Sequence, residues 1–194
     1  MGEGSHIYGT ARRRTEQGYT PKMLRNIVGL ENRIRRNRDE SLHFFDSKGN
    51  QLHSNQGKGA GVFDDGYKPP TNSILTHNHP RALGKKGLES IGNSFSWQDI
   101  RTAIVHNAKE MRAVTPTYTF SLKRPKGGWG VDALDFLDSY LATNKELESK
   151  NWDYINNYKG DKTTAARRAD ATHFHDVATA MSKKYGWKYT KTKG

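Results

Sequence analysis

The chain contains no cysteine, which excludes disulfide staples and thiolate metal sites, so any bound ion must be held by nitrogen and oxygen ligands. Apolar residues are scarce too. Hydrophobic side chains make up 33% of the 194 residues and the mean hydropathy is −0.94, so much of the length is surface or loop. No apolar run approaches the roughly 18 residues that a membrane span requires, and no signal-peptide pattern is found, so a soluble protein without a membrane partner is expected. Acidic residues are in deficit: 20 Asp and Glu stand against 32 Lys and Arg, a formal net charge of +12. Such an excess favours nucleic acid or an acidic protein partner, and its even spread along the chain does not choose between them. No internal repeat emerges, and the length fits one domain with appendages.

What is present concentrates in residues 73–99. Ile74, Leu75 and Thr76 run into His77-Asn78-His79 and stop at Pro80, which reads as a short buried strand ending at two histidines. Residues two apart on a strand point the same way, with Cα atoms roughly 6.5 Å apart. Both imidazoles then reach one ion at about 2.1 Å. Further on, Ser96-Trp97-Gln98-Asp99 opens a helical pattern with Trp97, Ile100, Ala103, Ile104 and Ala108 on one face. Two readings of Asp99 compete here: the acidic half of a capping box with Ser96 as N-cap, or a third metal ligand beside the histidines. Two histidines and one carboxylate leave a fourth position for water, the composition of a catalytic zinc site.

The rest of the chain supplies a scaffold. Residues 1–19 read as a flexible basic arm containing Arg12-Arg13-Arg14. Thr20-Pro21 starts a helix to about Arg38, apolar on one face and carrying Lys22, Arg25, Arg33 and Arg36 on the other, either a solvated face or one that meets nucleic acid. Residues 40–46 and 51–53 read as a hairpin in which Glu40, Leu42 and Phe44 share a side. A brief strand is expected at residues 60–63 and a turn at 64–66. Two strands follow at residues 111–115 and 117–122, and then a basic turn whose Trp129 is either a loop residue or one that stacks on a base or grips a peptide. Helices are expected at residues 131–149 and 162–185, stopped by Gly186, with a last strand at 187–191. His173 and His175 diverge on such a helix, one core-facing and one exposed. The pattern is that of an α/β fold, a mixed sheet with helices on its faces, divided into the arm, a core over residues 20–130 and a helical extension over 131–194 packed on it.

His77-Asn78-His79-Pro80 followed by Ser96-x-x-Asp99 resembles the JAB/JAMM (MPN-type) metallopeptidases, and the run Leu75-Thr76-His77-Asn78-His79-Pro80 is most similar to their RadC-like bacterial and phage branch. The resemblance covers residues 40–114. It implies a cytidine-deaminase-like core, zinc held by His77, His79 and Asp99, an oxyanion-stabilising Ser96, and an upstream glutamate acting through the bound water. Glu40 matches that glutamate in order and strand context, with Glu31 on the preceding helix as the substitute. The His79 to Ser96 spacing is longer than the family's, as if a loop were inserted beside the site. The activity implied is hydrolysis of a peptide or isopeptide bond in a bacterial cytoplasm or a phage virion, and the chain's positive charge suits an acidic substrate. A metal-dependent nuclease and a non-catalytic phage head-associated or nucleic-acid-binding protein are the alternatives that the positive charge keeps open.

Overall fold

A single six-stranded mixed sheet organises the protein, in the order β2-β1-β3-β4-β5-β6. The computed structural model describes residues 18–59, 61, 62 and 65–194. The basic arm up to residue 17, and residues 60, 63 and 64 of the expected strand and turn, lie outside the described residues. The strands are β1 (Ser41–Phe45), β2 (Gln51–Gln56), β3 (Ile74–Asn78), β4 (Glu110–Val114), β5 (Tyr118–Lys123) and β6 (Lys188–Lys193). Only the central pair β3 and β4 is parallel; the other neighbours are antiparallel. The parallel pair needs a crossover, which residues 79–109 provide with helix α2 (Trp97–Val105). Every residue of β3 and β4 is buried, as strands covered on both faces must be.

The two faces carry different partners. Helix α1, assembled from Pro21–Met23, a π-helical turn Leu24–Val28 and Gly29–Ile34, lays Met23, Ile27, Leu30 and Ile34 on Phe45, Ile74 and Val114. It ends four residues before the expected Arg38, and the next side chain, Arg35, turns its guanidinium to the Thr115 carbonyl at 2.9 Å. Lys22, Arg25, Arg33 and Arg36 are exposed. The opposite face packs Phe44, Leu75, Met111, Phe120 and Leu122 against α2 and against α3 (Ala133–Asn157) and α4 (Lys162–Tyr185). Each fully buried side chain of that size contributes about 1.5–3 kcal/mol. Among the described residues no helix is long and apolar enough to cross a membrane.

The C-terminal helices differ in detail from the pattern read above. α3 starts on the side-chain cap of Asp132 and continues to Asn157, past the expected Ser149, with Glu146 and Lys150 paired at 2.5 Å on its surface. Its seam runs through Phe136, Tyr140 and Leu147, while Leu141 is 55% exposed; on α4 Ala165, Ala169, Val177 and Met181 are buried. Gly186 closes α4 with φ 70°, a left-handed cap that other residues adopt at a cost. Trp129 is 4% exposed and packs on Trp187 with its indole N–H donating to the Ala108 carbonyl at 3.1 Å, so it is a core residue and not a stacking platform. β6 pairs with β5 along its whole length, from Lys188 opposite Lys123 to Lys193 opposite Tyr118.

Candidate metal centre

Strand alternation aims the histidines. On β3, Leu75 and His77 face the α2 side, while Ile74, Thr76 and Asn78 face the other way. His79 follows in an extended conformation, φ −108° and ψ 98°, so its ring returns to the side of His77. The two Nε2 atoms stand 2.8 Å apart. The antiparallel register sets Leu42 of β1 opposite His77, so Glu40, two residues earlier, comes level with His79. Among the described residues, Glu40, His77 and His79 each bring one ligand atom within 4.8 Å of the others.

Asn78 carries the middle of the motif on the opposite face. Its Oδ1 accepts from the Ser41 N–H at 2.9 Å and the Ser41 hydroxyl at 3.0 Å, and its Nδ2 donates to the Asp39 carbonyl at 3.1 Å. It therefore fixes the backbone on both sides of Glu40. The sequence reading missed this role; an amide held between two histidines on a strand that must be buried was the available signal.

The fourth group is Asp99, whose carboxylate caps α2 and also comes close to both histidines. Oδ2 accepts from the Ser96 N–H at 2.7 Å and from the Ser96 hydroxyl at 2.8 Å, completing a capping box at the start of α2. Oδ1 lies 3.3 Å from His77 Nε2, and Oδ2 is 3.9 Å from His79 Nε2. Oδ2 carries the cap, so Oδ1 is turned to His77 with the cap intact.

No family model matches the chain, and no curated protein or solved structure matches it either.

The donors have the chemistry of a divalent-ion site. Two ligands about 2.1 Å from one tetrahedral ion sit about 3.4 Å apart, close to the 2.8 and 3.3 Å separations present. His79 Nδ1 lies 2.8 Å from the Asn93 carbonyl, which can only accept, so Nδ1 carries the proton and Nε2 turns a lone pair toward the cluster. That carbonyl is set by Gly92, whose φ is 69° and where a Cβ would meet Thr115 and Ala82 at 2.8 and 2.9 Å. Ser94 adds a hydrogen bond to the Phe174 carbonyl of α4 at 2.8 Å.

The electrostatics are those of a tightly coupled group. Burial opposes ionisation of Asp99, but the adjacent His77, His79 and the Ser96 N–H overcome it and hold the carboxyl well below the usual range. Burial likewise works against charge on His77, yet Asp99 beside it and then Glu40 raise its pKa. His79 is pushed down to about 4 by burial and by His77. Burial raises Glu40, with His77 pulling the other way and Asp99 adding to the rise. A carboxylate moved toward neutrality is better matched to taking a proton near pH 7.

Glu31, the substitute for Glu40, is elsewhere. It projects from α1 onto the opposite sheet face, accepting from Arg112 Nε at 2.5 Å and Nη2 at 2.9 Å and from Thr76 at 3.0 Å. Arg112 also meets Glu110 at 2.7 Å and the Tyr19 hydroxyl at 2.9 Å, so this is a buried structural network. His173 and His175 are both half-buried: His173 bonds Asn144 at 2.8 Å and His175 bonds the Tyr189 hydroxyl at 2.8 Å. A cavity of about 470 Å³ opens over the centre, with Glu40, His79, Ser96 and Asp99 in its wall.

Proposed function

We propose that this chain is a zinc-dependent hydrolase of the JAB/JAMM type that cleaves a peptide or isopeptide bond, its sheet and α2 forming the family's core. The observation that carries the reading is the convergence of His77 and His79 Nε2 at 2.8 Å with Asp99 Oδ1 3.3 Å from the first, in contact with an open cavity. His77, His79 and Asp99 hold the ion. When bound, zinc supplies Lewis acidity toward the scissile carbonyl and makes a water molecule more acidic. A Glu40 carboxylate oxygen accepts a proton from the attacking water and returns it to the leaving amine. The Ser96 hydroxyl, turned from Asp99 Oδ2, donates a hydrogen bond to the developing oxyanion. His79 keeps its orientation through the Asn93 carbonyl.

A second reading has one observation in its favour: Lys22, Arg25, Arg33 and Arg36 are exposed on α1, consistent with nucleic acid as partner of a nuclease or of a non-catalytic phage protein. Salt-dependent binding without turnover identifies it. Elemental analysis of protein purified without a nickel column tests the main reading. About one zinc per chain is expected for a single tetrahedral site, lost in the His77→Ala variant; wild-type protein that takes up no zinc from buffered solution overturns it.

A further inference from the structure

We propose that the cleft over the centre binds an extended peptide with a bulky apolar side chain, aromatic by preference, beside the cleaved bond and a carboxylate farther along the chain. The position of the cleaved bond rests on the hydrolase reading above; the binding does not. The cavity of about 470 Å³ adjoins a second of about 430 Å³, and Arg81, Asn93 and Phe174 belong to both. Beyond its polar donors the first is walled by Val62, Pro80, Trp97 and Phe174, which suits an apolar side chain. Trp97 follows Ser96 directly at the start of α2, and Phe174 comes from α4, so the apolar wall is assembled from distant parts of the chain.

The second cavity carries Arg81, Lys85 and Arg167 with Glu89 and Asp170. Lys85 is engaged with Glu89 at 3.7 Å, and Arg81 at the junction of the two cavities is shared with Glu40, so exposed Arg167, with Asp170 as the other acid in this wall, and part of the Arg81 charge are left for an incoming carboxylate. A phosphodiester backbone is disfavoured at the other end, where Glu40 and Asp99 line the wall. The connecting segment is fastened to α4 by the Ser94 to Phe174 hydrogen bond, so little order has to be imposed on binding.

Fluorescence anisotropy with the full chain tests this on four labelled peptides, Phe or Gly at one position combined with Glu or Lys three residues on. The Phe and Glu peptide should bind tightest, and Gly for Phe should weaken binding about tenfold or more. Phe174→Ala should abolish the Phe preference, so that peptide and protein changes together cost little more than either alone. Arg167→Glu should weaken the Glu peptide about threefold and favour the Lys one. Four peptides bound alike, no peptide bound, or displacement by a tighter-binding single-stranded oligonucleotide overturns the proposal. Zinc content measured on the same samples separates the two readings: discrimination without zinc uptake leaves the groove standing and removes the hydrolase, and zinc uptake without discrimination does the reverse.

Discussion

Replacing Asp99 by asparagine separates its capping of α2 from the ligand role proposed for it. The asparagine oxygen can still accept from the Ser96 N–H, as Oδ2 now does at 2.7 Å, so the cap largely survives. At pH 8, where a histidine without an acidic partner is neutral, the metal-free variant should lose no more than about 1 kcal/mol, the size of a capping contribution. Zinc should tell the two proteins apart. At free zinc a hundredfold above the wild-type Kd, binding stabilises the fold by about 2.7 kcal/mol. Loss of an anionic ligand is expected to weaken affinity at least as much as loss of a supporting hydrogen bond, up to about a hundredfold. The same free zinc then equals the variant's Kd and stabilises it by only about 0.4 kcal/mol. For a chain of this size one kcal/mol moves Tm by about 2–4 °C, giving a zinc-dependent rise of about 5–10 °C in the wild type and about 1 °C in the variant. Thermal unfolding in chelator and in buffered zinc measures both. Equal rises in the two proteins would refute the ligand role and leave Asp99 as a helix cap.

Four further outcomes are expected. Glu40→Gln should keep its zinc and lose at least about a hundredfold in cleavage rate, because the amide cannot accept the proton; zinc lost along with activity would move Glu40 into the ligand set, and full activity would end its role as base. Asn78→Ala leaves the buried Ser41 N–H unpaired, so urea unfolding should show a loss of about 1–3 kcal/mol, and kcat should fall more than KM rises as Glu40 loses its anchor; unchanged stability and kcat would contradict this. Arg112→Met strands Glu31 and Glu110 and should cost about 3–5 kcal/mol, part of it restored by adding Glu31→Met; a loss below about 1 kcal/mol would show that the network does not hold α1. His43 is pushed down from 6.5 to about 4 by burial and then by Arg33 and His77. Its folded form therefore binds a proton less readily than the unfolded chain, and stability held above pH 6.5 should decline as pH falls toward 4. His43→Gln should flatten that acid limb in denaturation profiles, and an identical slope would count against it.

The His pair was legible in the sequence because a two-residue period on a strand is a strong geometric constraint, and five residues of β3 obey it. The capping box was equally plain, since it depends on residues three apart. What the sequence left open depended on pairing between distant segments. Choosing Glu40 over Glu31 requires the register that sets Leu42 against His77 and the match of Glu31 with Arg112, 81 positions away. Trp129 looked like a surface residue because its loop is basic, whereas its ring belongs to a core completed by Trp187. The parallel pairing of β3 and β4, and the wall formed by Phe174, are likewise products of tertiary contact that no local pattern encodes.

The hydrogen bond from Ser94 to the Phe174 carbonyl has a consequence for biosynthesis. At about 5–20 residues per second, Asp99 emerges from the ribosome several seconds before Phe174. During that interval the segment bearing Asn93 has no α4 to rest against, and His79 lacks a settled acceptor for its Nδ1 proton. The histidine pair is made early, but its geometry is completed only when the helical hairpin closes over it, so a nascent chain halted before α4 would carry every donor and still lack the assembled centre.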